Sequence, residues 1–108
     1  MKFEVVVTIP FEKQAKPLLK KYKSLKTDIA AIIKSLSEDP SQGTPIGSSC
    51  YKIRLKIVSK GKGKSGGGRI ITYVKIISNT VYLISIYDKS EKENLTDKEL
   101  QAFINWIR

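Results

Sequence analysis

The chain has 108 residues, and its 20 Lys and Arg outnumber its 10 Asp and Glu to give a formal net charge of +10. This length allows one domain, residues 1–108, with a single core, and the 41% share of hydrophobic residues excludes a disordered chain. Because an excess of one charge destabilises the compact state by self-repulsion, the composition predicts an acidic partner, of which nucleic acid is the commonest.

Cysteine and histidine content limits the chemistry that the chain can carry. With Cys50 as its only cysteine and no histidine, the chain cannot form an internal disulfide or a zinc site, so no metal or cofactor is expected. The apolar run near the start is interrupted by Glu4 and ends at Pro10, which is unlike a signal peptide. The apolar uncharged run at residues 76–87 is too short to span a bilayer. We therefore expect a cytoplasmic protein with no membrane partner.

The first third of the chain predicts a short strand followed by two amphipathic helices. Residues 3–9 are rich in β-branched side chains, and from Phe11 onward the apolar residues recur at helical spacing. Pro17 would remove a hydrogen bond from the middle of this helix, so the helix should begin just before it or be kinked there. A second apolar stripe, residues 25–36, predicts another helix, and the two should pack as a hairpin.

The rest of the chain predicts strands separated by polar loops, and then a final helix. The predicted loops are residues 41–49 and the basic, glycine-rich residues 59–68; the predicted strands are residues 50–58, 69–77 and 80–87, the last two joined by a hairpin at residues 78–79. Thr96 and Glu99 have the spacing of a capping box and predict a helix that ends at about Ile107.

The strand at residues 50–58 is the most informative segment. It lies in a stretch, residues 41–86, that contains no Asp or Glu, and its basic and apolar residues alternate. Successive side chains of a strand point to opposite faces, so Lys52, Arg54 and Lys56 should form one row, roughly 7 Å apart, which suits a phosphate backbone. The element order β-α-α-β-β-β-α then predicts an α+β domain, a twisted antiparallel sheet with the helices on one face and the cations on the other.

Three segments and the order of the elements together carry a family resemblance. The segments are YKIRL at residues 51–55, GGRIITY at residues 67–73 and IYDKSEKENL at residues 86–95. They resemble the RelE/ParE toxin superfamily, and within it the HigB-type RelE toxins of type II toxin–antitoxin systems. The resemblance covers nearly the whole chain and implies the small α+β fold of microbial ribonucleases, with two N-terminal helices.

The resemblance also implies a function. It implies a toxin that cleaves mRNA on the ribosome as a metal-independent endoribonuclease, or mRNA interferase, and so halts translation. The implied partners are the ribosome, mRNA and an antitoxin that has an acidic segment and a helix-turn-helix domain. Two alternatives stay open: a ParE-like inhibitor of DNA gyrase, which is not an enzyme, and an RNA-binding module without catalysis.

The resemblance assigns the candidate catalytic residues. Lys52 and Arg54 fall on the paired basic positions of the second strand of the family, and Arg69 falls on the arginine that follows the glycines. Lys89 stands where another arginine is usual. The tyrosine expected near residue 95 is replaced by Leu95.

Cleavage without a metal needs a group that accepts the proton of the ribose 2′-OH, a group that stabilises the charged phosphorane and a group that protonates the leaving 5′-oxygen. Because like charges disfavour the charged form of a lysine, Lys52 beside Arg54 and Arg69 is the candidate base, and the arginines are the candidate stabilisers. Tyr87 or Tyr73 is the candidate replacement for the missing tyrosine. The residues expected to bind RNA or the ribosome are Lys56, Lys60, Lys62, Lys64, Lys75 and Tyr73.

Overall fold

The computed structural model describes residues 2–60, 67–91 and 95–107, and within these ranges it has five strands and three helices. In chain order they are β1 (Glu4–Val7), α1 (Ile9–Lys21), α2 (Leu25–Glu38), β2 (Thr44–Gly47), β3 (Cys50–Leu55), β4 (Gly68–Lys75), β5 (Thr80–Asp88) and α3 (Asp97–Ile107). Short 3-10 turns occupy Val58–Lys60 and Ile76–Ser78. The predicted α+β class and order of elements are confirmed, with β2 as an additional strand where a loop was predicted.

The five strands form one sheet in the order β1-β5-β4-β3-β2. The pairs β2–β3, β3–β4 and β4–β5 are antiparallel, whereas β1 runs parallel to β5, so the sheet is mixed rather than wholly antiparallel. Parallel neighbours need a long connection, and everything from α1 to β4 lies between these two strands. The side-chain pattern of a four-residue strand carries no information about its direction, which is why the sequence did not reveal it.

The hairpin that joins β2 to β3 has an unusual turn sequence. Gly47 pairs with Cys50, and the two residues between them, Ser48 and Ser49, both have positive φ, 55° and 63°. Two positive φ angles in a two-residue hairpin loop are the mark of a type I′ turn, which usually contains Asn and Gly. Because serine gives no such signal, the sequence predicted a loop here instead of a strand.

Helix α1 begins at Ile9 and runs through Pro17 to Lys21, so the alternative that it begins beside this proline is wrong, while the alternative of a kink at Pro17 stays a prediction. Thr8 caps the helix, since its side chain accepts a hydrogen bond from the amide of Phe11 at 3.3 Å. Phe11, Ala15 and Leu18 are buried along one stripe, and this burial holds the turn around the proline. Pro17 itself is exposed, so water can bind the carbonyl group that the proline leaves without a partner.

Helices cover both faces of the sheet, and the prediction of helices on one face only is wrong. Helices α1 and α2 pack against one face, where Leu25 and Leu83 are fully buried. Helix α3 packs against the other face through Leu100 and Ile104, which contact a cluster that contains Ile71. That second face is itself apolar away from its cationic end, so it needs a cover.

The predicted capping box of α3 is confirmed, because the amide and side chain of Thr96 exchange hydrogen bonds with those of Glu99 at 3.0 and 3.1 Å. In the ranges that the structure describes, none of the helices combines the length and the apolar composition that a bilayer crossing requires.

Candidate active site

The register of the sheet brings three of the predicted site residues into one row across three strands. Arg54 on β3 lies opposite Arg69 on β4, and Arg69 lies opposite Tyr87 on β5. Residues directly opposite each other in antiparallel strands share a face, and Lys52 shares the face of Arg54 by alternation. The predicted convergence of Lys52, Arg54 and Arg69 on one face of the sheet is therefore confirmed.

The hydrogen-bond pattern shows how close the two arginines lie. The amide of Val74 donates to the carbonyl of Ser49 at 2.9 Å, which makes these residues a hydrogen-bonded pair between β3 and β4. Such pairs alternate with non-hydrogen-bonded pairs, and Arg54 and Arg69 fall in the second class, with Cα atoms about 4.5 Å apart. Two guanidinium groups that start this close favour a bound anion, because an anion between them relieves their repulsion.

The two arginines differ in exposure. Arg54 is exposed, whereas Arg69 is only 6% exposed and its Nη1 donates to the carbonyl of Gly68 at 2.9 Å. Arg69 is buried because β4 is a central strand with neighbours on both sides. The site therefore has one buried cation, Arg69, whose side chain is held by a hydrogen bond, and one cation at the surface, Arg54. Alternation alone predicted a row in which every cation is exposed.

Tyr87 and Lys52 line a small cavity beside this row. Burial raises the pKa of the Tyr87 phenol, and the charge of Arg69 partly opposes this rise, so the phenol is neutral at pH 7 and has a proton to donate. The cavity has a volume of about 140 Å³, and its lining residues are Ile46, Lys52, Ile71, Tyr87, Leu95, Asp97 and Leu100. Leu95, at the position where the resemblance expects a tyrosine, thus faces the same cavity as Lys52.

Asp97 is a member of this cavity that the sequence did not suggest. As the first residue of α3 it was part of a capping pattern, and only the packing of α3 on the sheet makes it line the same cavity as Lys52 and Tyr87. The spacing of these three residues along the chain contains no signal of their proximity.

Comparisons with known proteins show the family of the chain. A sequence model of a family described as the RelE toxin of the RelE / RelB toxin-antitoxin system matches residues 5–106. The chain belongs to the RelE toxin family. It is accordingly the toxin component of a toxin–antitoxin system, and its family implies an antitoxin as its partner.

Solved structures show the same fold for this RelE toxin. A free-state structure of an E. coli RelE toxin variant matches with a TM-score of 0.63 and 17% sequence identity over 100% of both chains. The isolated E. coli RelE toxin matches with a TM-score of 0.57 and 17% identity over 98% of this chain and 99% of that one.

Several predicted RNA-binding residues of this RelE toxin lie away from the row. Lys75 is exposed at the far end of β4, six residues from Arg69 and so about 20 Å along the strand. Tyr73 packs beside α3 with its ring centroid 6.1 Å from that of Tyr82. Lys56 is exposed just beyond β3, in line with Arg54. The predicted Lys62 and Lys64 lie outside the described residues.

Lys89 follows β5 directly and stays close to the site. Its amide donates to the carbonyl of Gly67 at 3.0 Å, and its side chain is half-buried. This hydrogen bond extends the pairing of β4 with β5 by one step beyond Gly68 and Asp88. Lys89 therefore lies near the same end of the sheet as Arg69.

Lys60 has a different environment from the one predicted for an RNA-binding residue. Its Nζ lies 2.6 Å from Oδ1 of Asp88, and the two side chains are only 9% and 1% exposed. The ammonium is therefore committed to a buried ion pair and is not part of the cationic surface. The sequence could not reveal this pairing, because Asp88 follows the acid-free stretch and lies on another element.

Asp88 is the centre of a buried polar network. Its Oδ2 accepts a hydrogen bond from the Tyr22 hydroxyl at 2.5 Å, and its Oδ1 accepts from the Ser90 amide and hydroxyl at 2.9 and 2.7 Å. Burial alone would raise the pKa of Asp88, but the bonds from Lys60, Tyr22 and Ser90 outweigh it and hold the pKa well below its usual range. The network joins the end of α1, the turn after β3 and the end of β5.

Proposed function

We propose that this RelE toxin is a HigB-type, metal-independent endoribonuclease that cleaves mRNA on the ribosome and so halts translation. The observation that carries the proposal is the row of Arg54, Arg69 and Tyr87 with Lys52 beside it. Two arginines lie opposite each other on adjacent strands, one of them buried and held, and their two positive charges on one face of the sheet suit a phosphate group. We expect it to work in the cytoplasm, where its substrate is.

The proposed reaction is an internal transfer at one phosphate of the mRNA. The ribose 2′-oxygen forms a bond to phosphorus, the bond from phosphorus to the 5′-oxygen breaks, and the proton of the 2′-OH passes to Lys52. Arg54 and Arg69 stabilise the charge that develops on the phosphorane oxygens. Tyr87, which burial keeps protonated, donates a proton to the leaving 5′-oxygen.

The residues around this row support binding. Lys56 continues the line of Arg54, and Lys89 lies two residues beyond Tyr87, which supports a role for both in contacts with phosphates on either side of the cleaved bond. Because these contacts are with phosphates, binding to the ribosome should weaken steeply as the salt concentration rises. The acidic segment of an antitoxin with a helix-turn-helix domain would compete for the same cations and keep the toxin inactive.

A translation extract programmed with a defined mRNA tests the proposal. We expect cleavage of the mRNA within translating ribosomes, mapped by primer extension, and no cleavage of the same RNA alone. The matched variants are Arg69→Ala, which should not cleave, and Lys34→Ala on the exposed surface of α2, which should cleave like the wild type. Inhibition of DNA gyrase supercoiling without any mRNA cleavage would establish the gyrase-directed alternative and overturn the proposal, as would the absence of both activities.

A further inference from the structure

Strand β5 contains an irregularity just before the candidate site. Ile71 of β4 lies opposite Ser85 of β5. The next residue of β4, Thr72, lies opposite Leu83, so Ile84 falls between the two pairs. An extra residue in one strand of an antiparallel pair is a β-bulge. Bulges change the direction of the side chains that follow them, and they are frequent next to active sites.

The bulge decides which face of the sheet Tyr87 reaches. Leu83 before the bulge and Ile86 after it pack in the same cluster, beneath α1 and α2, although they are an odd number of residues apart. Ile84 and Tyr87 pack in the cluster on the opposite face, beneath α3. In an unbroken strand all odd-numbered residues share one face, and Tyr87 would point with Leu83 toward α1 and α2. The extra residue therefore puts Tyr87 on the face of Arg69.

The same bulge places Asp88 in its buried network. Asp88 follows Tyr87 and so points to the opposite face, where it bonds to Tyr22 and Lys60. In an unbroken strand the two side chains would exchange faces, with the phenol among the core residues beneath α1 and the carboxylate beside Arg69. The direction of the last residues of β5 thus determines both the candidate site and the buried ion pair.

Gln14 of α1 holds the bulge. Its carboxamide oxygen accepts a hydrogen bond from the Ser85 hydroxyl at 2.6 Å, and its Nε2 lies 3.5 Å from the carbonyl oxygen of Ile84. The same Nε2 donates to the carbonyl of Pro10 at 2.9 Å, which orients the carboxamide on the helix. One side chain of α1 therefore contacts both residues of β5 that lie opposite a single residue of β4.

These contacts begin where the pairing of β1 with β5 ends. The parallel ladder closes with Val7 opposite Leu83, and the chain then enters α1 through Thr8, whose hydroxyl donates to the carbonyl of Leu83 at 2.7 Å. Beyond that point Gln14 supplies polar partners to β5. Ser85 is fully buried, and a buried hydroxyl group without a hydrogen bond is destabilising, so the bond to Gln14 is needed where it stands.

We propose that Gln14 and Ser85 are positioning residues of the candidate site, which hold the bulge of β5 and thereby keep Tyr87 beside Arg69. They act on the reaction through Tyr87 and not by contact with the RNA. The placement of Tyr87 does not depend on the activity of the protein, whereas its consequence for mRNA cleavage rests on the proposed function, in which Tyr87 protonates the leaving 5′-oxygen. A proton donor must lie within hydrogen-bond reach of its acceptor, so a small displacement of this strand end should lower the rate.

Steady-state cleavage of a defined mRNA on programmed ribosomes tests this role. Gln14→Ala should lower kcat by about ten- to a hundredfold, the effect of a misplaced catalytic group, and leave KM within about twofold of the wild type. Ser85→Ala should lower kcat in the same way. The matched control is Gln42→Ala, which breaks a Gln–Ser contact at the end of α2, the 2.8 Å bond to the Ser35 hydroxyl, and should leave kcat unchanged. Wild-type kcat in both Gln14→Ala and Ser85→Ala would overturn the inference.

A double variant separates positioning from a general loss of stability. If Gln14 acts through Tyr87, Gln14→Ala should cost nothing further in a protein that already carries Tyr87→Phe. Losses of kcat that simply add would mean that Gln14 acts by another route, which would contradict the inference. Circular dichroism at the assay temperature confirms that equal amounts of folded protein are compared, and Ser85→Ala takes the place of Gln14→Ala if the latter does not fold.

An NMR measurement without ribosomes distinguishes this inference from the proposed function. With tyrosine labelled with carbon-13 at Cζ, the Tyr87 phenol should titrate with a raised pKa in the wild type, because it is buried, and closer to the ordinary value in Gln14→Ala and Ser85→Ala. A toxin that cleaves mRNA, but whose Tyr87 signal responds to neither variant, would refute the inference and leave the proposed function standing. A Tyr87 signal that responds, in a protein that does not cleave mRNA, would do the reverse.

Discussion

At the scale of single residues, Arg69 is the side chain on which the candidate site most depends. It lies between Arg54 and Tyr87 in the sheet register, and unlike Arg54 it is buried. A cation held in one orientation before the substrate binds needs no reorganisation during the reaction. This is the physical reason to expect a larger effect from Arg69 than from the exposed lysines around it.

Replacement of Arg69 by Ala should lower the rate of ribosome-dependent mRNA cleavage by a factor on the order of 10² or more, because it removes a stabiliser of the phosphorane charge. Arg69→Lys should restore only part of the rate, since an ammonium group lacks the planar pair of donors that matches a phosphate. The measurement is the cleavage rate at equal concentrations of folded protein, with folding checked by circular dichroism. A rate for Arg69→Ala equal to that of the wild type would remove Arg69 from the site.

Asp88 predicts a dependence of stability on pH. Because its folded-state pKa lies well below the ordinary value of about 3.9, it stabilises the fold fully above about pH 5 and loses this contribution as the pH falls through both pKa values. Asp88→Asn should therefore unfold more easily than the wild type at pH 7 and show a weaker loss of stability toward acid. Urea unfolding at pH 7 and at acid pH measures both effects.

The size of the effect follows from the burial of the pair. Loss of one partner of a buried ion pair costs about 3–5 kcal/mol, because the remaining charge is left without compensation. The double variant Asp88→Asn, Lys60→Met should consequently be less destabilised than the sum of the two single variants. If the two losses simply added, Lys60 and Asp88 would not interact in solution.

At the scale of elements, the hairpin between β2 and β3 holds the edge of the site. Ser49 has a φ of 63°, a conformation that costs a residue with a Cβ atom about 1 kcal/mol and costs glycine much less. Ser49→Gly should raise the free energy of unfolding by up to about this amount, as measured by thermal or urea unfolding. The matched control is Ser37→Gly in α2, where the same change should destabilise the protein by about 0.5–1 kcal/mol. A loss of stability in both variants would be inconsistent with the positive φ of Ser49.

Helix α3 contributes to the candidate site although it is far from β3 in the chain. Its apolar stripe predicted a helix, but the stripe does not specify which surface the helix covers. By packing on the sheet face opposite α1 and α2, it brings Leu95 and Asp97 against the cavity that Lys52 and Tyr87 line. The candidate site is therefore assembled from β3, β4, β5 and the start of α3.

At the scale of the whole molecule, the candidate site combines strands of the sheet with the start of α3, so the substitution Leu95→Tyr tests whether residue 95 contributes to mRNA cleavage. The phenol would extend into or over the cavity beside Lys52 and supply both a stacking surface and a proton donor that leucine lacks. We expect a higher rate of mRNA cleavage than in the wild type, with little change in stability because Leu95 is only half-buried. Leu95→Phe separates the two contributions, since it can stack but cannot donate a proton. An unchanged rate in both variants would show that residue 95 does not contact the RNA.

Local pattern alone determined several features of this protein. Alternation in β3 determined that Lys52 and Arg54 share a face, and the spacing of Thr96 and Glu99 determined the start of α3, because each depends on residues close together in the chain. The resemblance of three short segments identified the family and so the α+β class. Each of these features depends on residues close together in the chain, or on several short segments taken together. They can therefore be predicted without knowing which residues contact each other in the fold.

Only the tertiary structure decided the direction of β1, the face that α3 covers, the burial of Arg69 and the pairing of Lys60 with Asp88. Each depends on contacts between residues far apart in the chain, about which side-chain periodicity is silent. A lysine in a basic run has the same local pattern whether it faces RNA or a buried carboxylate. What distinguishes the two is the cost of burying a charge without a partner, and that cost is settled only when the elements have packed.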